Sequence, residues 1–266
     1  DAKAVIDAHV EQARAAGRVI WQGEAPRGRY CAPAIIRVSG IGDLTREVFG
    51  PVLHVAPYPA GGEAAVIADI NAKGYGLTFG VQTRIGGRAS ACADAVHVGN
   101  VYVNRNQIGA VVGSQPFGGH GLSGTGPKAG GPLYLGAFTL DAPPPVLDAQ
   151  SLPGPDGEDN LYRRLPRGRV LCLDGADPAP ARAAGNEVVT VAELPGDITG
   201  IDAVMADPEA GIDLGALRRR LAGAPGPLVP LITDLGGRAW LHKEAHRCTD
   251  LTASGGNAAL LSRPGG

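Results

Sequence analysis

Aromatic side chains are scarce in this sequence, at 5% of 266 residues, with two Trp and one Met. A core built from such a chain must rest mainly on aliphatic residues, which dominate the 44% apolar share. An excess of charge of one sign is missing as well. The formal net charge of −2 lacks the basic footprint of a nucleic-acid binder, and no nucleic-acid partner is expected. No apolar run approaches the roughly 20 residues of a membrane span. The opening DAKAVIDAHVEQARAAG reads as too polar for a signal peptide. No CxxC pair occurs among Cys31, Cys92, Cys172 and Cys248, so reduced, cytoplasmic thiols are expected. An initiating Met is absent too, and the chain opens directly in a helical pattern. It reads as a piece of a longer polypeptide.

Glycine, by contrast, is abundant: the chain has 41, beside 22 Pro. Their densest stretch, Asn104 to Pro132, is NRNQIGAVVGSQPFGGHGLSGTGPKAGGP. Ordering glycine costs conformational entropy, so this density calls for tight turns or close approaches. Val111, Val112, Phe117 and Leu122 give the stretch apolar anchors that a flexible spacer lacks. Two accounts stand open. It is either an ordered loop whose bare N–H groups hold an anion beside Phe117, or a glycine-rich crossing between packed elements.

Around this stretch the hydrophobic pattern alternates strands with helices. Helices are predicted over 2–16, 62–73, 87–95 and 214–221. Strands are predicted over 18–21, 30–38, 52–55, 77–82, 98–104, 169–173, 187–191, 203–205 and 228–232. Such alternation means an α/β fold with a largely parallel sheet. The composition shift at DAPPPVLDAQSLPGP sets a Pro-rich linker at 141–155 between residues 1–140 and a smaller α/β extension at 156–266. The last stretch, CTDLTASGGNAALLS, reads as an exposed interaction strand.

Several motifs are less than they look. Gly119-His-Gly121-Leu-Ser-Gly124 fits G-x-G-x-x-G, but no strand leads in and no helix opens at its end, as a dinucleotide loop requires. His242, Glu244, His246 and Cys248 have H-x-E-x-H spacing rather than H-E-x-x-H, and read as a solvated polar surface; no metal site is expected. Cys31, Cys92 and Cys172 lie in apolar patterns as small hydrophobes, and Cys248 in an edge segment, so none is expected to be a nucleophile. Glu47, just before Phe49-Gly50-Pro51, could accept from a ribose diol while Phe49 packs on a flat ring; a surface pair with Arg46 is the alternative.

These residues carry a resemblance. EVFGPV (Glu47–Val52) is similar to the E-x-F-G-P-x signature of the aldehyde dehydrogenase superfamily. YGLTFGVQTRI (Tyr75–Ile85), HVGNVYVNRN (His97–Asn106) and GAVVGSQPFGGHGLSGTGPKAGGPLYL (Gly109–Leu135) resemble the L-glutamate γ-semialdehyde dehydrogenase half of the bifunctional proline utilisation flavoenzymes. LPGPDGEDNLYRRLPRGRVLCL (Leu152–Leu173) and TASGGNAALLS (Thr252–Ser262) resemble the C-terminal extension of that family.

The resemblance implies NAD-dependent oxidation of L-glutamate γ-semialdehyde, the open form of pyrroline-5-carboxylate, to glutamate. FAD would belong only to the absent proline dehydrogenase half. Glu47 would hold the nicotinamide ribose and Phe49 would pack near the nicotinamide. Gly109 and Ala110 would anchor the substrate carboxylate through the backbone, and Phe117 would line its aliphatic chain. The family nucleophile lies in a G-Q-R-C-S-A type stretch and its base in an E-L-G-G-K type stretch; neither occurs here. The chain alone is therefore expected to be inactive. Its expected partners are the substrate, the missing N-terminal part and further copies joined through the C-terminal strand; the parent is cytoplasmic or peripheral to the inner membrane. A rival class is a non-catalytic assembly module.

Overall fold

The structure is a computed structural model describing residues 2–139, 148–234 and 236–252. It is a mixed α/β chain of two compact units, residues 1–73 and 74–266.

In the first unit α1 (Ala2–Ala15) buries Ile6, Val10 and Ala13 at helical spacing, and Gly17 ends it with a φ of 67°. These side chains pack on a three-stranded sheet in the order β1 (Val19–Gln22), β2 (Ala34–Arg37), β3 (Val52–Val55). The β1–β2 pair is antiparallel and the β2–β3 pair parallel. The second strand is shorter than its apolar pattern predicts. Pro33, which has no N–H to donate to a ladder, precedes its first residue. Val10, Ala13, Ala34, Ile36 and Val38 form the core, and α2 (Glu63–Ala72) follows.

The second unit carries a five-stranded sheet that spans the chain. Its early members are β5 (Thr78–Val81), which follows the two-residue β4 (Tyr75–Gly76), and β6 (Asn100–Val103); α3 (Gly86–Ala95) crosses between β5 and β6. Next in sequence comes the two-residue β7 (His120–Gly121), which pairs with β4. Beyond residue 147 come β8 (Ala149–Leu152), β9 (Glu158–Pro166) and a set of short elements. These are β10 (Arg169–Leu173), α4 (Ala179–Ala183), β11 (Glu187–Val191), β12 (Ala203–Met205), α5 (Leu214–Ala222) and β13 (Leu231–Ile232). The last strand is β14 (His242–Asp250).

The large sheet runs β5-β6-β14-β9-β8, and a separate four-stranded sheet runs β11-β10-β12-β13, parallel throughout. In the large sheet only β5–β6 and β6–β14 are parallel; β14–β9 and β9–β8 are antiparallel. The sheet thus joins strands from both sides of the tract at 141–155, and the compact units divide at Lys73 rather than there. Backbone pairing across a sheet outweighs a local change in composition.

The C-terminal stretch also differs from its expectation. Its first residues, Cys248–Asp250, end β14, which is flanked by β6 and β9, so they lie in an interior strand and not an exposed one. Glu244, His246 and Cys248 are buried, not a solvated surface. The rest of the expected interaction strand, from residue 253 on, lies outside the described residues, as do residues 141–147 of the linker. Among the described residues no helix is long and apolar enough to cross a membrane.

Candidate functional site

The glycine-rich stretch begins where β6 ends. Asn104 takes a φ of 59°, the one left-handed non-glycine position among the described residues, and its Oδ1 accepts the Thr83 N–H at 2.8 Å. Asparagine tolerates this conformation because its short side chain can bond locally. The chain then rises into an exposed crest: Ile108 is 91% and Val112 94% accessible. Gly109 is exposed, and a Cβ built on it would meet no atom within 4 Å.

The crest is fastened from behind by Gln115. Its buried side chain accepts the Val111 N–H at 3.1 Å, and the Val111 carbonyl takes the Gln115 N–H at 2.8 Å. The Gln115 amide then donates to Glu158 Oε2 at 3.3 Å and approaches Cys248 Sγ at 3.4 Å. Arg105 joins the cluster, with Nη1 2.5 Å from Glu158 Oε1 and its guanidinium 5.5 Å from the Tyr102 ring centroid. Strands β9 and β14 therefore hold the loop that leaves β6. Burial pushes the Cys248 thiol up to about 11 and raises that of Cys172, so both stay protonated and unreactive at neutral pH.

After Phe117, whose backbone forms an antiparallel bridge with Ala129, the stretch turns inward. Lys128 is buried with Nζ 2.7 Å from Asn100 Oδ1 and 2.5 Å from the Gly118 carbonyl. Its backbone N–H donates to Glu244 Oε2 at 2.6 Å, and the Tyr162 hydroxyl donates to Glu244 Oε1 at 2.9 Å. Asn100 also donates to the Pro116 carbonyl at 2.9 Å. Burial lowers Lys128 to about 7 and raises Glu244, because both charged forms lose water. The G-x-G-x-x-G run forms the β7 turn: Gly124 N–H closes on the Gly121 carbonyl at 3.0 Å and no helix follows.

The five candidate residues fall into two groups. Glu47 and Phe49 belong to the first unit, on the irregular segment before β3. Glu47 is exposed, and its carboxylate pairs with no described residue, Arg46 included; Phe49 is 87% accessible. Gly109, Ala110 and Phe117 belong to the second unit, and the Gly109 and Ala110 amides make no hydrogen bond to described residues. Sequence reasoning missed Gln115 and Lys128, and read Glu244 as part of a solvated surface. The signal available was a Gln and a single Lys set among the glycines after Gly109.

The model of the aldehyde dehydrogenase family matches residues 1–141. The bifunctional protein PutA of Rhizobium meliloti is 35% identical over 98% of this chain and 28% of its own length. That of Salmonella typhimurium is 41% identical over 65% of this chain and 18% of its own. A 1-pyrroline-5-carboxylate dehydrogenase of Bacillus licheniformis is 37% identical over 48% of this chain and 25% of its own length. The chain thus spans about a quarter or less of the curated relatives it matches. Among solved structures, proline utilization A from Corynebacterium freiburgense superposes with a TM-score of 0.63 at 21% identity, over 86% of this chain and 29% of that one. At that identity the likeness is one of fold.

Proposed function

Because the chain belongs to the aldehyde dehydrogenase family, we propose that it is the rear part of an L-glutamate γ-semialdehyde dehydrogenase whose remaining parts lie in a longer parent. The observation that carries this reading is the pair of uncommitted amides at Gly109 and Ala110, on a crest fastened by Gln115. Two N–H groups with no internal acceptor suit a carboxylate, which accepts from both. Phe117, 37% accessible, offers an apolar wall for a short aliphatic chain. Ala110 brings only its amide and no hydroxyl donor.

The cofactor of this reading is NAD. The residues fit it: a carboxylate with no partner at Glu47 can accept from both ribose hydroxyls, and the exposed Phe49 ring two residues on can pack against a flat heterocycle. When bound, NAD supplies the hydride acceptor for aldehyde oxidation. This chain's own residues bind and orient. Glu47 would hold the ribose, the Gly109–Ala110 amides the substrate carboxylate, and Phe117 would keep water from its aliphatic chain. The nucleophile and the base are left to the parent, since neither motif occurs here and two of the four thiols are buried with raised pKa values. Alone, the chain would oxidise no aldehyde.

Gly109→Val in the longer parent tests the assignment, because a Cβ at this position has no described atom within 4 Å. KM for the semialdehyde should rise at least about tenfold, while KM for NAD stays put. Unchanged semialdehyde kinetics would sink it.

A further inference from the structure

A cleft of about 140 Å³ opens between the β7 glycine turn, the β9–β10 junction and the loop before β12. Arg167, Lys243 and Lys128 reach it, against the carboxylates of Asp202 and Glu244. Both carboxylates are already engaged. Glu244 takes the Tyr162 hydroxyl and the Lys128 N–H, while Asp202 takes Lys243 Nζ at 3.2 Å and the Arg169 N–H at 2.9 Å.

Arg167 has a different environment. Its guanidinium donates to the carbonyls of Asp202, at 2.6 Å, and Trp240, at 3.2 Å, and lies 5.6 Å from the Trp240 ring centroid. It forms no ion pair with a described carboxylate. A half-buried guanidinium held by two carbonyls and a ring, with the Asp202 charge acting on it without an ion pair, is only partly compensated. With Lys128 lowered to about 7, Arg167 and Lys243 are the cleft's main cations, beside Asp202 and a Glu244 whose burial opposes its charge. His120, on the same wall, is held neutral chiefly by burial and also by the combined field of Lys128, Lys243 and Arg167.

The opposite wall is side-chain poor. Gly119, Gly121, Gly124 and Gly126 line it, and a Cβ at Gly126 would strike the Trp240 ring. The volume is well below the ~300–1,000 Å³ of sites that take drug-sized ligands, which excludes a nucleotide and leaves room for a small ion. We propose that this cleft binds a small oxyanion, a phosphate or a carboxylate group, held by Arg167 and Lys243 against the glycine wall. A guanidinium presents paired N–H donors that match two oxygens of such an anion.

Calorimetric titration of the full chain at low ionic strength with sodium phosphate, and separately with sodium acetate, tests this. Saturable binding of either, at one site per chain, is expected, and the tighter of the two identifies the group. Arg167→Gln should weaken it about tenfold, the loss of roughly one charge-assisted interaction. Lys243→Gln, at a partly exposed position, should weaken it severalfold and guards against misfolding of the first variant. Asp202→Asn removes a competing negative charge and should tighten it. Arg218→Gln, on the exposed face of α5, should change nothing. Failure of both anions to saturate by ~10 mM, or equal weakening by Arg218→Gln, overturns the proposal.

Discussion

The two halves of the glycine-rich stretch use the same residue for opposite ends. From Asn106 to Gly113 the chain is largely exposed, and glycine there keeps space empty: nothing lies near Gly109. From Gly118 to Gly131 it runs through packed structure, and glycine keeps backbones close. A Cβ on Gly119 would sit 2.6 Å from Ser123 atoms, and one on Gly121 would overlap the Gly74 carbonyl. Of the two accounts that composition left open, the packed crossing describes the second half, while the first half stays exposed with its Gly109 and Ala110 amides unbonded. Phe117 and its bridge to Ala129 mark the change. Glycine count alone says nothing of which role a given residue plays; its neighbours decide.

If the rear half is the structural one, acid should attack it first. Burial holds His120 and His246 near about 4, below the ordinary 6.5, so the unfolded chain binds more protons between those values. Their contribution is complete above pH 6.5 and fades as pH falls towards 4, by up to roughly 3 kcal/mol apiece. Glu244, raised instead, works in the opposite direction above pH 4.5 and offsets part of the slope. Denaturation midpoints from pH 7 to 4 should therefore drop steeply, and less steeply in His120→Gln. A flat profile would break the comparison.

Glu244→Ala removes the acceptor of the Tyr162 hydroxyl and of the Lys128 N–H in one step. The expected cost is about 3–5 kcal/mol, the figure for breaking a buried charged network. A loss under ~1 kcal/mol would mean that β14 does not clamp the rear half. Next in size is a paired test with alanine. Gly121→Ala, at a φ of 57° and against the Gly74 carbonyl, should cost roughly 2–3 kcal/mol. Gly109→Ala should stay within about 0.5 kcal/mol. Equal losses in urea titrations would erase the distinction between the halves.

The smallest effect tests the joint between them. Gln115→Met keeps the volume but leaves the Val111 N–H without its acceptor, for about 1–2 kcal/mol. In the longer parent it should also raise KM for the semialdehyde at unchanged kcat, because the crest loosens while no reacting group moves. A kcat loss with constant KM would show that the residue acts elsewhere.

Local pattern was a good guide wherever an element is decided by its own residues. Strands Val52–Val55, Arg169–Leu173, Glu187–Val191 and Ala203–Met205 form at the residues their β-branched runs predict. The helices lie within a residue or two of their periodic stretches. At two of the strands that fell short of prediction a proline stands just before the first residue, Pro33 and Pro230. Glu47, Phe49, Gly109, Ala110 and Phe117 were legible as motif positions, whereas the side chains that fasten their loop were not.

The sequence by itself determined the α/β class, the family and those elements that alternation or helical spacing marks, because these are properties of neighbouring residues; Ala149–Leu152 and Glu158–Pro166 became strands only through their partners. Only the tertiary structure made HKEAHRCTD an interior strand, pairing it with Asn100–Val103 more than 140 residues earlier. A polar run reads as surface until its partners are known. Here Tyr162, Arg105 and the Lys128 amide, all distant in sequence, satisfy Glu244 and Cys248 inside the fold.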